Sequence, residues 1–546
     1  MTLNKNSNLF YFCSFFIIWF VTFCIEYLYR DSIPLFICND SYQYLDIAQN
    51  IYLNKQSNGL IKFALNLYYD EIAHFKYDFG NLKPYHFPSY SYYLSLFYHI
   101  YNNNNFVIYF SQYIAFIIFS IASFLIVNQY LNKKTSFWLV ILSMFATSVI
   151  LYISDSGKEI IFSGLSLLAF YFGIYSPNRQ KILTQILLCL ILTFMSITRS
   201  FYLLEAFIIV LYNNFSFKYL ERNPLIFTKI IPKILNIFLI FIIPLLTYFY
   251  CYYYLQHHMF IYDNRTDIYG GKTFDDAILR FFLNAIFNYF WIFLHFIQRF
   301  NDFNDLTTTF DSYHLCIPWF ISITGSITWV ISKLKNLLNR KINIEKLDLI
   351  FLFNLILIIS ISIRFSPNGY RLTMSFVPIV FMYFYLNFII LNKYKILLYG
   401  FLLVNFIYLI DSQILYNKIN AQNIDRNEKI KEIIYKFNAK KVVVGAMLFP
   451  HQFLLPLYHD YPDDIYFFHH FNSANLCDDL QNYSQHNINF DILIIGFEEK
   501  LFKNFKKDNC KFIIENFYVI DINEYGLTYI NKDKIRSSAI LKNQKI

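Results

Sequence analysis

Charged side chains are sparse in this sequence, and they gather at a few places where chemistry is possible. Asp40 opens the stretch Asp40-Ser41-Tyr42-Gln43-Tyr44-Leu45-Asp46, just after the first long apolar run. An aspartate there caps a helix, because its carboxylate accepts from the orphan N–H groups of the first turn. At the edge of a membrane the same group can also orient or deprotonate an acceptor hydroxyl. In Ser154-Asp155-Ser156-Gly157-Lys158-Glu159, the acids Asp155 and Glu159 stand at i, i+4, on one face of a helix. Two carboxylates so placed repel unless a cation intervenes, and Lys158 offsets them while reading otherwise as an interfacial charge at a helix end. Arg199, in Ile197-Thr198-Arg199-Ser200-Phe201, lies where two apolar segments meet. It must find an anionic partner there or snorkel to headgroups. Arg364 and Arg371 bracket the turn Arg364-Phe365-Ser366-Pro367-Asn368-Gly369-Tyr370-Arg371. A guanidinium fork suits two phosphate oxygens at once. Lys83 and His86, in Lys83-Pro84-Tyr85-His86-Phe87-Pro88, read as solvated cations of a proline-shaped turn.

The elements that carry these residues belong to a membrane protein. The chain has 546 residues, of which 56% are hydrophobic, 21% aromatic and only 15% charged, with long charge-free runs. That composition predicts an α-helical polytopic membrane protein. The run Leu9 to Tyr29 is too long for a signal-peptide core and no small-residue cleavage site follows it, so a retained helix is expected. Further spans are predicted at about 106–127, 137–153, 160–175, 182–198, 200–213, 231–254, 312–332, 347–363, 372–391 and 396–412, roughly eleven in all. With a cytoplasmic N-terminus, the short basic loops at Lys133-Lys134, Arg179 with Lys181, Lys218 to Lys233, Lys333 to Lys346 and Lys393 with Lys395 fall on the inner side. The alternation requires Phe281 to Ile297, flanked by Arg280 and Arg299, to stay on the outer side as a surface or re-entrant helix.

The expected organisation is a transmembrane part over residues 1–412, with a first extracytoplasmic loop at 30–105, and a small extracytoplasmic α/β domain over 413–546. In the loop, Tyr44, Ile47, Ala48, Ile51 and Tyr52 recur at helical spacing and predict an amphipathic helix lying on the bilayer, with Asp46 toward water. In the tail, Asn427 to Phe437 reads as an amphipathic helix, and Lys441 to Gly445 and Phe490 to Gly496 as buried strands.

Several classes are excluded or left without support. The net charge of +9 resides in loops and does not argue for nucleic acid. Of eight cysteines, Cys13, Cys24, Cys189 and Cys251 lie in apolar runs. Cys477 and Cys510 lie in the polar tail, where a disulfide is open to them if the tail is outside the cytoplasm. His257-His258 and His469-His470 are adjacent pairs without zinc-ligand spacing. A nucleotide fingerprint and a Ser/His/Asp triad are absent at readable spacings.

The order of these features resembles the GT-C superfamily. Those are polytopic glycosyltransferases that take sugars from polyprenyl-phosphate carriers, among them protein O-mannosyltransferases and the lipid A aminoarabinose transferase. The resemblance spans roughly residues 8–412 in layout. It rests on an acid after the first span (Asp40), a Lys-Pro loop before the second (Lys83 to Pro88), an acidic hairpin (Asp155 and Glu159) and a late arginine. It implies that Asp40 serves as catalytic base or orients the acceptor, with Asp155 or Glu159 as a second acid. It implies further that Lys83, His86, Arg199 and Arg371 contact the carrier phosphate. The implied partners are a polyprenyl-phosphate-linked sugar, membrane lipid, and a protein, lipid or glycan acceptor at the outer face of the inner membrane. Members using carrier monophosphates generally work without a metal and oligosaccharyltransferase-like members use a divalent cation, so that requirement stays open. A flippase for lipid-linked sugars and a polysaccharide polymerase or ligase are the alternatives. Flippases gather polar residues at midplane, and polymerases concentrate their catalytic loop late in the chain.

Overall fold

The computed structural model describes residues 8–29, 40–55, 62–65, 80–81, 88–145, 149, 157–199, 201–214, 230–251, 325, 327–335, 338, 346–364, 374–386, 432–445, 466–470, 491–496, 515–523, 526–533 and 535. In chain order the elements are α1 (Asn8–Tyr29), α2 (Asp40–Asn54), β1 (Lys62–Leu65), β2 (Gly80–Asn81), α3 (Ser89–Tyr98), α4 (Asn104–Val127) and α5 (Lys133–Phe145). Then come α6 (Glu159–Phe170), extended by a π-helical turn Tyr171–Tyr175, α7 (Ile182–Thr198), α8 (Tyr202–Asn214), and α9 (Ile230–Ile237) joined through Phe238–Ile242 to α10 (Ile243–Phe249). The helices Lys346–Arg364 and Val377–Phe384 follow, and then strands β3 (Lys441–Gly445), β4 (Tyr466–His470), β5 (Ile492–Gly496), β6 (Phe517–Asn523) and β7 (Gly526–Asn531).

The chain divides into two compact units, one of residues 1–38 and 85–416, the other of 39–84 and 417–546. The first is helical. Asn8–Leu28 and Asn104–Val127 are long and apolar enough to cross a membrane, and Glu159–Tyr175, Ile182–Thr198, Tyr202–Asn214, Ile234–Phe249 and Met374–Phe384 are shorter apolar helices. Helix α5 starts earlier than the run expected at about 137–153, most of which beyond Phe145 lies outside the described residues, as does Phe281 to Ile297. On α1, Phe15, Trp19 and Phe23 are buried while Ile17, Phe20, Ile25 and Leu28 are exposed. Apolar side chains outside as well as inside are what lipid permits and water penalises.

Tight approach replaces the hydrophobic effect as the organiser of such a bundle. Helices α4 and α6 run side by side in the same direction, and a Cβ on Gly164 would meet the Phe119 backbone nitrogen at 2.9 Å. Polar bonds fasten other pairs. The Trp19 indole N–H donates to Ser120 Oγ at 2.7 Å, and Trp19 stacks on Phe145 at 5.3 Å, so α1, α4 and α5 meet at one buried point.

The second unit holds a seven-stranded sheet of order β2-β1-β4-β3-β5-β7-β6. Strands β1, β4, β3 and β5 run parallel, whereas β2, β7 and β6 pair antiparallel at the two edges. The strands expected at Lys441 to Gly445 and Phe490 to Gly496 form as adjacent central strands, and their valine- and isoleucine-rich runs suit burial on both faces. Helix is described over 432–436 of the expected Asn427 to Phe437. Two strands of the sheet come from the first loop, since Phe63 pairs with Phe467 and Leu65 with His469. Helix α2 belongs to this unit as well. Of the expected stripe, Ile47, Ala48 and Ile51 are covered by protein and Tyr44 and Tyr52 are half-buried, which corrects the expectation that it lies against lipid.

Candidate active site at one end of the helical unit

One end of the first unit is a polar assembly built on the turn before α6. The Gly157 carbonyl accepts two hydrogen bonds, from Gln112 Nε2 on α4 at 2.8 Å and from the Tyr90 hydroxyl on α3 at 3.1 Å. Gln112 Nε2 also donates to the Tyr90 oxygen at 3.2 Å. All three residues are buried, so the bonds form where water does not compete and the turn is held rigidly. The hydroxyls of Ser89 on α3 and Thr198 on α7 are hydrogen-bonded to each other and tie a third helix to the same corner.

This clamp fixes the next two residues, Lys158 and Glu159. Both are buried, at 2% and 4% exposure, which corrects the reading of Lys158 as an interfacial charge. Glu159 is the first residue of α6, where the helix dipole favours a carboxylate. Its Oε1 lies 3.8 Å from Nη2 of Arg199, whose side chain keeps 21% exposure. Arg199 is placed by leaving the helix. It is the C-cap of α7 in an extended conformation, so its side chain departs from the rod at the rim. Below the pair, Tyr202 is buried within electrostatic reach of Glu205, Arg199 and Glu159. Its ring stacks on Phe162, which stacks in turn on Phe194. Glu205 is fully buried on α8 and accepts from Ser166 Oγ at 2.9 Å.

Two residues singled out from sequence, Glu159 and Arg199, are thus brought together. Asp40 is the first residue of α2, in the other unit, and Arg364 is the last residue of its helix. Asp155, Lys83, His86 and Arg371 lie outside the described residues, as do Cys477 and Cys510. Sequence reasoning missed Tyr90, Gln112, Ser89, Thr198 and Glu205. Glu205 alone carried a signal, as the one charge within the apolar run at about 200–213, where an intramembrane acid calls for a partner. Among the described residues no three His, Cys, Asp or Glu side chains converge as a metal would require.

Chemically, the pair presents a guanidinium that reaches solvent and is braced from behind by a buried carboxylate. At 3.8 Å the contact is an ion pair rather than a hydrogen bond, and a guanidinium held there can present its N–H fork to phosphate oxygens. Lys158, the preceding residue and also buried, adds a second cation to the same turn.

No protein-family model matches the sequence, and no curated protein matches it. Solved structures do match. ArnT from Cupriavidus metallidurans bound to undecaprenyl phosphate superposes with a TM-score of 0.52 at 8% identity, covering 96% of this chain and 98% of that one. The archaeal oligosaccharyltransferase AglB from Archaeoglobus fulgidus, in complex with an inhibitory peptide and a dolichol-phosphate, gives 0.44 at 11% identity, covering 94% and 74%. At such identities the likeness to ArnT speaks for architecture, and it extends over essentially the whole of both chains. The chain therefore shares the overall fold of ArnT.

Proposed function

We propose that the protein is a membrane glycosyltransferase that moves a sugar from a polyprenyl-phosphate carrier to a protein, lipid or glycan acceptor at the outer face of the inner membrane. The observation that carries this reading is the braced pair Arg199–Glu159 at a helix-end rim, in a fold that ArnT uses with undecaprenyl phosphate bound. In this reading Arg199 neutralises the phosphate as the sugar leaves, because negative charge grows on it in the transition state. Glu159, with Asp155, holds the cations in place. Asp40 orients or deprotonates the acceptor hydroxyl, and Lys83, His86 and Arg371 complete the phosphate contacts.

The membrane topology belongs to the same reading, with about eleven spans and the α/β unit outside. Support comes from the sheet. Strand β1 of the first loop pairs with β4 of the tail, so both segments are on one side of the membrane. Between residues 65 and 466 the chain must then cross an even number of times. The ten crossings counted from hydropathy beyond the first loop satisfy that only if Phe281 to Ile297 does not cross.

The test is release of polyprenyl phosphate from sugar-charged carriers by the purified protein in lipid, for wild type and Asp40→Asn. Turnover by wild type and a loss of about 100-fold or more in Asp40→Asn, with equal thermal stability, is the expected result. Equal turnover in the two would remove Asp40 from the chemistry and leave it as a helix cap.

A further inference from the structure

The opposite end of the helical unit carries a second cationic assembly, and four helices agree on where it lies. Helix α4 ends near Tyr130, the π-turn after α6 ends at Tyr175, α7 begins just after Arg179, and α8 ends near Tyr212. Each of these positions is one helix length from the Gly157–Arg199 corner. The Tyr130 and Tyr175 hydroxyls are 3.0 Å apart. Lys346 Nζ lies 5.4 Å from the centre of the Tyr175 ring, and the Arg179 guanidinium lies 5.6 Å from that of Tyr212.

Among the described residues, charge is not balanced there. Asp348, within electrostatic reach of Tyr175, is taken by Lys333 at 2.6 Å and by the Trp329 indole N–H at 2.9 Å. Arg179 spends one N–H on the Ile174 carbonyl at 2.9 Å, which leaves four of the five donors of a guanidinium. Neither Arg179 nor Lys346 has a carboxylate partner among the described residues, and both are half-buried. Burial, and after it the nearby Arg179 charge, push the Lys346 ammonium below its ordinary value. Two cations over tyrosine faces, held close enough to repel and without an anion among the described residues, form a receptor for one. Tyrosines and cations at one level of a bundle also mark where headgroups lie.

We propose that Arg179 and Lys346 bind one phosphate group, with Tyr175 and Tyr212 as the walls that keep both cations in place. At a membrane surface that phosphate belongs to an anionic phospholipid. The site is independent of the sugar-transfer reading and lies at the other end of the helices.

Full-length protein, stripped of lipid in neutral detergent, is titrated with phosphatidylglycerol, with phosphatidylethanolamine, and with inorganic phosphate. Retained lipid is read by native mass spectrometry and Tm by thermal shift. Wild type should retain one phosphatidylglycerol in preference to phosphatidylethanolamine. Lys346→Gln should weaken that retention about fivefold, and Arg179→Gln with Lys346→Gln about 25-fold. Lys346→Gln leaves the Arg179 bond to Ile174 intact, so its Tm without lipid serves as the folding control. Stabilisation by inorganic phosphate that both substitutions abolish would also support the site, with a soluble anion as its ligand. Retention in Lys346→Gln and in the double variant equal to wild type, or a wild type that neither prefers phosphatidylglycerol to phosphatidylethanolamine nor is stabilised by inorganic phosphate, overturns the proposal.

Discussion

The two ends of the helical unit use the same residue types differently. At the Gly157 end, Arg199 faces the buried Glu159, and a tyrosine and a glutamine clamp the backbone beside it. At the Tyr175 end, Arg179 and Lys346 lie over rings and the nearby acid is occupied elsewhere. A cation braced by a carboxylate is oriented but partly neutralised, which suits a site where charge must be met only as it develops. Unbraced cations attract an anion at all times, which suits constant occupancy. On the proposed reading one end serves turnover and the other anchorage, and the substitutions that follow are chosen to break that division.

The largest effect is expected where the brace is cut. Glu159→Gln keeps the size of the side chain and removes its charge, so Arg199 loses the partner that orients it. Release of polyprenyl phosphate should fall about 100- to 1,000-fold, the cost of losing one pre-organised charge contact in a transition state. Because a buried carboxylate beside a cation also contributes to folding, Tm must be read alongside. A fall in Tm that accounts for the whole loss of turnover would make Glu159 a structural residue and remove the asymmetry between the ends.

The next effect concerns what joins the two ends. Gln112 holds Gly157, and two turns further along both helices Gly164 abuts Phe119. Gly164→Val would drive branched methyls into backbone that cannot move as a side chain would. A loss of about 1–3 kcal/mol in stability is expected, read by denaturation in detergent. Turnover should fall as well, because separating α4 from α6 pulls Gln112 away from the turn that carries Glu159. A stable Gly164→Val protein would show that this close approach is not needed.

How far these regions were legible in the sequence depended on the range of the interactions. Helices such as α7 and α8 could be placed to within a residue or two, because hydrophobic length is a local property and both are bounded by Arg199 and its neighbours. Strands β3 and β5 were visible as short valine- and isoleucine-rich runs. The sheet itself was not, since β1 and β4 are separated by some four hundred residues and Lys62-Phe63-Ala64-Leu65 alone has no strand signature. At the site, Glu159 and Arg199 stood out because charges are rare in such a chain. Gln112, Tyr90 and Ser89 did not, because polar uncharged residues are common in apolar helices and acquire meaning only from what they face. The second cationic cluster was seen as scattered loop charges. That Arg179, Lys346 and two tyrosines converge depends on how four helix ends line up.

The smallest effect is the sharpest test, because it uses one substitution at both ends. Tyr90→Phe and Tyr130→Phe each remove one phenol hydroxyl, the first from the Gly157 carbonyl at 3.1 Å and the second from the Tyr175 hydroxyl at 3.0 Å. Each should cost about 1–2 kcal/mol of stability, since the ring stays and only the hydrogen bonds of one hydroxyl are lost, for Tyr90 both its bond to Gly157 and the one it accepts from Gln112. Their effects on turnover should part. Losing the Tyr90 hydroxyl leaves the Gly157 carbonyl to Gln112 alone and loosens the turn that sets Glu159 against Arg199. A displacement small enough to escape a melting curve is still felt in a transition state, so release should fall about tenfold, equivalent to about 1.4 kcal/mol. Tyr130→Phe reaches that turn only through the length of α4 or of α6 and should stay within about twofold of wild type. If the two variants lose turnover equally, rigidity is shared along the helices and the chemistry does not belong to the Gly157 end alone.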